Sequence, residues 1–277
     1  MKTIRPPWSE SAPTPGSFRS IAKYGNPRAF KHPSDAWVRM MMQEFGMTED
    51  DFLQRRQEGL ESVVVDKPSR LSEAQLNALA AIVGDVNVAV DDYSRVRYAS
   101  GKTAEEILEL RHGVVREIAD AVVHPRDKGD VQKLVEFCAR ERIAITPYGA
   151  GSSVNFGCRP YAGGISLALG THMNAVLEIN EVNQTARVQP GILGPAYESA
   201  LQNAPERFGC QRRYTCGHFP QSFEYSSVGG WIVTLGSGQA STYYGDAYDL
   251  VFSQEYVTPA GSFRTIEVPA TATGPRI

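Results

Sequence analysis

Two stretches decide how this chain reads: Pro147-Tyr148-Gly149-Ala150-Gly151-Ser152-Ser153-Val154, and Gly217-His218-Phe219-Pro220-Gln221-Ser222-Phe223-Glu224-Tyr225-Ser226-Ser227-Val228-Gly229-Gly230-Trp231. The first follows Ile143-Ala144-Ile145-Thr146, which reads as a strand running into Pro147. A dinucleotide-type GxGxxG would need its third glycine where Val154 stands, and would open a helix at once. The sequence continues instead through Asn155, Gly157, Arg159, Pro160 and Gly163-Gly164, which no regular helix tolerates. A P-loop would need a lysine before the serine, and Ala150-Gly151 stands there.

What remains is a Gly/Ser loop directly after a strand. Glycines reach positive φ, so successive backbone N–H groups can turn inward as an anion-binding nest. Ser152 and Ser153 add hydroxyl donors. This chemistry suits a pyrophosphate, at about 1.5–3 kcal/mol per charge-assisted hydrogen bond. An ordinary surface loop fits the same residues. In the second stretch, Ser226-Ser227 offer N-caps to a helix entered by Gly229-Gly230. The glycines let a flat ligand approach the backbone, and the helix N–H groups favour electron-rich atoms. A merely capped helix in close packing fits equally well.

Around these stretches the pattern is α+β. Ala121-Val122-Val123 reads as a buried strand ended by His124-Pro125. Residues 127 to 142 read as a helix with Val131, Leu134, Val135 and Cys138 on one face. With the strand ending at Pro147, this predicts a right-handed parallel crossover. Ile165 to Leu169 is strand-like, 175–179 and 185–191 form a hairpin, and 194–203 and 228–235 are helical. Leu250 to Phe252 with Glu255 to Thr258 reads as strand, and Ser262 to Val268 as the last. Upstream, residues 1 to about 35 are Pro- and Ser-rich and predict an extended arm or disorder. Residues 34 to 60 look helical, with Ser34 and Thr48 as caps; Ser72 and Thr103 open two further helices.

Bulk properties exclude several classes. Of 277 residues, 42% are hydrophobic and 21% charged, an ordinary globular balance. The net charge of −3 argues against a nucleic-acid partner. No apolar run reaches the length of a membrane span, and Met1 to Trp8 lacks the core of a signal peptide. Cys138, Cys158, Cys210 and Cys216 form no CxxC pair, so reduced thiols in a cytoplasmic protein and no metal site are expected.

Taken in order, the two stretches resemble the FAD-binding domain of the vanillyl-alcohol oxidase and p-cresol methylhydroxylase (PCMH-type) flavoproteins. Within that superfamily the chain resembles alkyldihydroxyacetonephosphate synthase and related FAD-linked oxidases. Tyr98-Ala99-Ser100-Gly101-Lys102 and Leu108-Glu109-Leu110-Arg111 resemble the lead-in. The resemblance implies a PCMH-type fold of two α/β subdomains over 114–277, after a mostly helical segment over 1–113. It implies that Pro147, Tyr148, Gly149, Ala150, Gly151, Ser152 and Ser153 wrap the FAD pyrophosphate. Gln221, Ser222, Phe223, Glu224, Tyr225, Ser226 and Ser227 match a second FAD segment, and Thr234, Leu235, Gly236 and Ser237 a third contact inside the following helix. Tyr243-Tyr244-Gly245-Asp246 and Asp249-Leu250 also follow the pattern and read as architecture. Relatives that attach FAD through the first loop use a histidine near the position of Ser152, so non-covalent FAD is implied.

The departures are informative. Gln221 stands where the synthase pattern has Asp, and Leu235-Gly236 where it has Arg-Ala. Losing that arginine weakens the synthase reaction and leaves FAD untouched. The pattern normally continues into a further Gly-rich FAD loop and a substrate cap, so a C-terminally incomplete domain is expected, without an assignable acid, base or nucleophile. His218 is the one local candidate, against a structural histidine beside Pro220. The expected function is the FAD-binding portion of an FAD-linked oxidoreductase, either 2-hydroxy acid oxidase- or dehydrogenase-like or alkylglycerone-phosphate synthase-like, the latter acting on an acyl-dihydroxyacetonephosphate. The partner is a small-molecule substrate if a C-terminal half completes the site, with a homodimer left open. The rival reading is an inactive flavin-binding fragment or partner-binding subunit, whose unfinished sheet edge invites a complementing chain.

Overall fold

The computed structural model describes residues 11–30, 32–54 and 57–265. The chain divides into two compact units, residues 1–65 with 102–116, and residues 66–101 with 117–277.

The first unit is helical. Ser17 caps α1 (Phe18–Ala22), which buries Phe18, Ile21 and Ala22. The expected extended arm is therefore corrected over these residues: a capped apolar turn gains more by burial than by solvation. Ser34 caps α2 (Asp35–Phe45), and Thr48 shares a capping box with Asp51 at α3 (Glu49–Leu53). Helix stops there, short of residue 60.

In the second unit Ser72 and Gln75 form a capping box on α4 (Glu73–Val83). Next come β1 (Val88–Ala89) and α5 (Asp92–Arg97), neither legible in the sequence. The chain then returns to the first unit for α6 (Ala104–Arg111), opened by the Thr103–Glu106 capping box. Back in the second unit, β2 (Ala121–Val123) leads to α7 (Lys128–Glu141), β3 (Ile145–Tyr148) and β4 (Ile165–Ala168). The sheet order is β1-β2-β4-β3. Strands β2 and β3 are both parallel to β4, while β1 is antiparallel to β2. The expected β2–α7–β3 unit is present, but β4 lies between its strands. Every residue of β4 is buried, as a strand flanked on both sides requires. Helix α7 presents Val131, Leu134 and Cys138 to the core, where Leu79 and Val83 of α4 meet Val123, Ile165 and Leu167.

A second core lies under the hairpin β5 (Val176–Asn180) and β6 (Thr185–Val188). It gathers Val176, Ile192, Ala200, Val228, Trp231 and Ala247. Around it run α8 (Gly194–Gln202), α9 (Ala204–Phe208), α10 (Val228–Val233) and α11 (Ser241–Tyr244). The last hairpin is β7 (Glu255–Thr258) with β8 (Gly261–Arg264), its cross-strand pair Tyr256 and Phe263 stacked at 5.0 Å. It docks on α7 through Lys128 Nζ to Glu255 Oε1 (2.6 Å) and Gln132 Nε2 to the Thr258 carbonyl (3.1 Å). Leu250 to Phe252 is irregular, correcting the strand expected there. The part of the last strand expected over 266–268 lies outside the described residues.

Candidate functional site

The first Gly-rich loop leaves the carboxyl end of β3, where ligands of open α/β sheets bind. Tyr148 anchors its start. The Tyr148 hydroxyl points to the Arg97 carbonyl (3.2 Å) and the Ser100 carbonyl (3.4 Å), and its ring meets Tyr98 edge-on at 4.9 Å. The side chain is thus spent on architecture, inside the Tyr98–Gly101 lead-in. Gly151 has φ +72°, and a Cβ there would stand 1.8 Å from the Tyr148 hydroxyl oxygen. The backbone N–H groups of Gly149 through Val154 have no acceptor among the described residues. Such a run of unpaired donors around a left-handed glycine is what a phosphate nest requires. Ser153 Oγ is committed inside the loop: it accepts from Gly157 N (2.9 Å) and donates to Asn155 Oδ1 (2.8 Å). Ser152, half-buried, makes no hydrogen bond among the described residues, so its hydroxyl is the one available to a ligand. Pro147 has no N–H to offer, and Ala150 offers backbone only.

In the second stretch, Phe223–Tyr225 form a 3-10 turn. Buried Ser226 Oγ donates to the Ser222 carbonyl (2.8 Å) and accepts from Trp231 Nε1 (2.6 Å). Ser227 caps α10 by accepting from Gly230 N at 3.4 Å. Gln221 and Glu224 are exposed, while Ser222, Phe223 and Tyr225 are half-buried. The segment is stitched to the residues before α8 by Val228 N to the Ile192 carbonyl and Gly229 N to the Pro190 carbonyl (2.9 and 2.8 Å).

The two stretches meet. A Cβ on Gly149 would lie 2.1 Å from Ser227 Oγ, so the loop backbone rests directly on the second segment's cap. Gly170, beyond β4, lies against the Gly149 carbonyl, and a Cβ on Gly191 would stand 2.4 Å from the Leu169 carbonyl. Glycine at each position lets three chain segments close on one point. Gly170 and Gly191 escaped the sequence reading; their signal is a lone glycine just past a strand.

The third segment needs correction. Helix α10 ends at Val233, so Thr234, Leu235, Gly236 and Ser237 lie in a turn beyond the helix and not inside it. Thr234 Oγ1 donates back to the Gly230 carbonyl (2.7 Å), and Leu235 takes φ +53°, a left-handed conformation that terminates the helix. Gly236 N then bonds the Trp231 carbonyl at 2.9 Å.

His218 lies beneath this turn. It is 3% exposed, meets Trp231 at 5.1 Å, and neither ring nitrogen has a hydrogen-bond partner among the described residues. A Cβ on Gly236 would be 3.8 Å from His218 Nε2. Burial holds the imidazole below its ordinary pKa, against a smaller opposing pull from Asp246. A polar group buried without a partner costs about 1–3 kcal/mol. At the carboxyl end of β2, His124 Nδ1 lies 2.7 Å from Thr171 Oγ1. Its pKa is lowered by burial first and then by His172 and Arg97. No group of three or more His, Cys, Asp or Glu among the described residues could hold a metal ion. No described helix is long and apolar enough to cross a membrane.

The sequence profile of the FAD binding domain family matches residues 119–267, spanning both stretches. The chain belongs to the FAD binding domain family. Alkyldihydroxyacetonephosphate synthase of Dictyostelium discoideum is 31% identical over 206 residues, 73% of this chain and 32% of the relative. Glycolate oxidase subunit GlcD of Bacillus subtilis is 32% identical over 142 residues, 51% of this chain and 28% of the relative. A solved alkyldihydroxyacetonephosphate synthase superposes with a TM-score of 0.67 at 30% identity, covering 73% of this chain and 35% of that one. p-Cresol methylhydroxylase shares the fold at a TM-score of 0.51 and 20% identity, over 72% of this chain and 36% of that one. The fold is thus PCMH-type and the family's cofactor is FAD. The chain spans about a third of the length of these relatives.

Proposed function

We propose that the second unit is the FAD-binding part of an FAD-linked oxidoreductase and holds FAD non-covalently where Gly149 meets Ser227. That contact carries the reading, because it joins a loop of unpaired N–H donors to the capped entry of α10 at backbone distance. The residues present fit the group. The N–H groups of Gly149 through Ser153 and the Ser152 hydroxyl would receive the pyrophosphate, and Tyr148 fixes the loop's departure. Pro147 and Ala150 complete its backbone. Ser226, pinned to Trp231, would hold the 221–227 segment along the cofactor, with Thr234 to Ser237 as a third contact. Bound there, FAD would supply a ring able to take electrons from a substrate C–H bond. The domain is assigned residues 114–277, supported by the family match over 119–267, and residues 66–101 pack into the same compact unit and extend it upstream.

A small 2-hydroxy acid is the favoured substrate class over a synthase reaction. Leu235-Gly236, where the synthase pattern carries Arg-Ala, leaves no cation at that turn for a phosphate-bearing substrate. The four cysteines carry no disulfide, and burial pushes Cys138 up to about 11 and Cys216 up to about 12. Unreactive thiols fit a cytoplasmic setting.

The test is titration of the purified chain with FAD and with ADP, followed by calorimetry and by the flavin absorbance near ~450 nm. Saturable one-to-one FAD binding that ADP competes away is expected. No binding of either would overturn the reading.

A further inference from the structure

The orphaned imidazole of His218 asks for a partner, and three observations say what kind. Its surroundings are aromatic: Trp231 lies 5.1 Å away, Phe223 stacks on Trp231 at 5.9 Å, and Phe219 lies 5.2 Å from Phe223. Such a wall suits a flat conjugated ring. Over the imidazole, through Gly236, lies the Thr234–Ser237 turn, strained at Leu235, a residue 64% exposed, and followed by Gly238. A strained turn with little burial is among the cheapest parts of a fold to displace. Finally, burial disfavours the imidazolium against a smaller opposing pull from Asp246, so an anion such as phosphate is a poor partner. A neutral imidazole offers one donor and one acceptor, which suits an uncharged edge carrying both.

We propose that one ring nitrogen of His218 hydrogen-bonds the polar edge of a flavin ring, which reaches it when the Thr234–Ser237 turn moves aside. The proposal rests on the FAD reading and adds to it: the glycine loop reads the phosphates, and His218 reads the ring. ADP shares the phosphates and lacks the ring, so the two ligands separate the two claims.

The experiment titrates the full chain, His218→Phe and His218→Asn with FAD and with ADP, and follows the His218 imidazole by 15N NMR in the unsubstituted protein. FAD affinity is expected to fall about tenfold in His218→Phe and less in His218→Asn, which keeps a polar amide, while ADP affinity stays within about twofold. The His218 15N resonances should move on adding FAD and stay on adding ADP. Before ligand is added, His218→Phe should match or exceed the thermal stability of the parent, since it removes a buried orphan. If that variant fails to fold, the NMR arm on the unsubstituted chain decides alone. Equal FAD affinity in His218→Phe, or His218 resonances that FAD leaves in place, would overturn the proposal with the phosphate site intact. FAD binding no tighter than ADP would do the same. Failure of the unsubstituted chain to bind either ligand would overturn the FAD reading itself, and this proposal with it.

Discussion

The backbone of Gly149 lies against the side chain of Ser227: a Cβ added to Gly149 would stand 2.1 Å from Ser227 Oγ and 3.2 Å from Ser227 Cβ. Gly149→Ala should therefore push the first loop off the α10 cap, at about 1–3 kcal/mol for overpacking. Ser227→Gly in the same chain removes both clashing atoms. A double-mutant cycle in urea is expected to show a stabilising coupling between them; strict additivity would mean the contact does not hold the loop.

Gly151→Val should abolish FAD binding while leaving the fold. Positive φ resists a β-branched residue at about 1–3 kcal/mol, and the added carbon would strike the Tyr148 hydroxyl. Tyr148→Phe should not rescue it, because the backbone strain remains. Unaltered FAD affinity in Gly151→Val would remove this loop from the site.

Acid precipitation of FAD-loaded protein should release all the flavin to the supernatant. Ser152 and Ser153 stand in the first loop with no histidine among Gly149 to Ser153 to link the cofactor. Yellow colour in the washed pellet would contradict this.

Stability should weaken in mild acid. His218 and His124 both have lowered pKa values in the fold, burial being the larger cause in each. The unfolded chain binds these protons near ~6.5, where the folded chain does not. Stability is complete above that pH and falls as pH drops below it, until the folded imidazoles protonate in turn. Urea unfolding between pH 7.5 and 5 should show this slope, and His218→Phe should lessen it without removing the share of His124. An identical slope in the variant would place the proton uptake elsewhere.

Asp120→Asn should cost about 1–3 kcal/mol. Burial works against the Asp120 charge, but Arg70 and the Gly164 N–H overcome it and keep the pKa below the usual carboxylate value. Arg70 Nη2 donates to Asp120 Oδ2 at 2.9 Å and Gly164 N at 2.7 Å. The stabilisation is present above the unfolded pKa of about 3.9 and is lost as pH falls through the folded one. The difference between parent and variant in denaturant midpoint should accordingly shrink in strong acid.

Elements with a local signature were legible without the fold. Ser34, Ser72 and Thr103 announced their helices because a cap is a contact within one turn. The stripe Val131, Leu134, Cys138 announced α7, and the two Gly-rich stretches announced both halves of the candidate site. Strand β1 is two residues long and has no period to detect. The fate of Phe18 to Ala22 depended on finding burial, which composition does not report.

By itself, then, the amino-acid sequence determined the α+β class, the place of most strands and of the longer helices, the family, and the residue types a phosphate nest needs. Tertiary structure alone decided three things. It placed β4 between β2 and β3, because strand order follows from long-range pairing. It set Gly149 on Ser227, a contact between residues far apart in the chain whose only local trace is a missing Cβ. It also left His218 buried, without a hydrogen-bond partner among the described residues, beneath a strained Leu235 turn, since burial and hydrogen-bond satisfaction belong to the packed whole and to no single stretch of sequence.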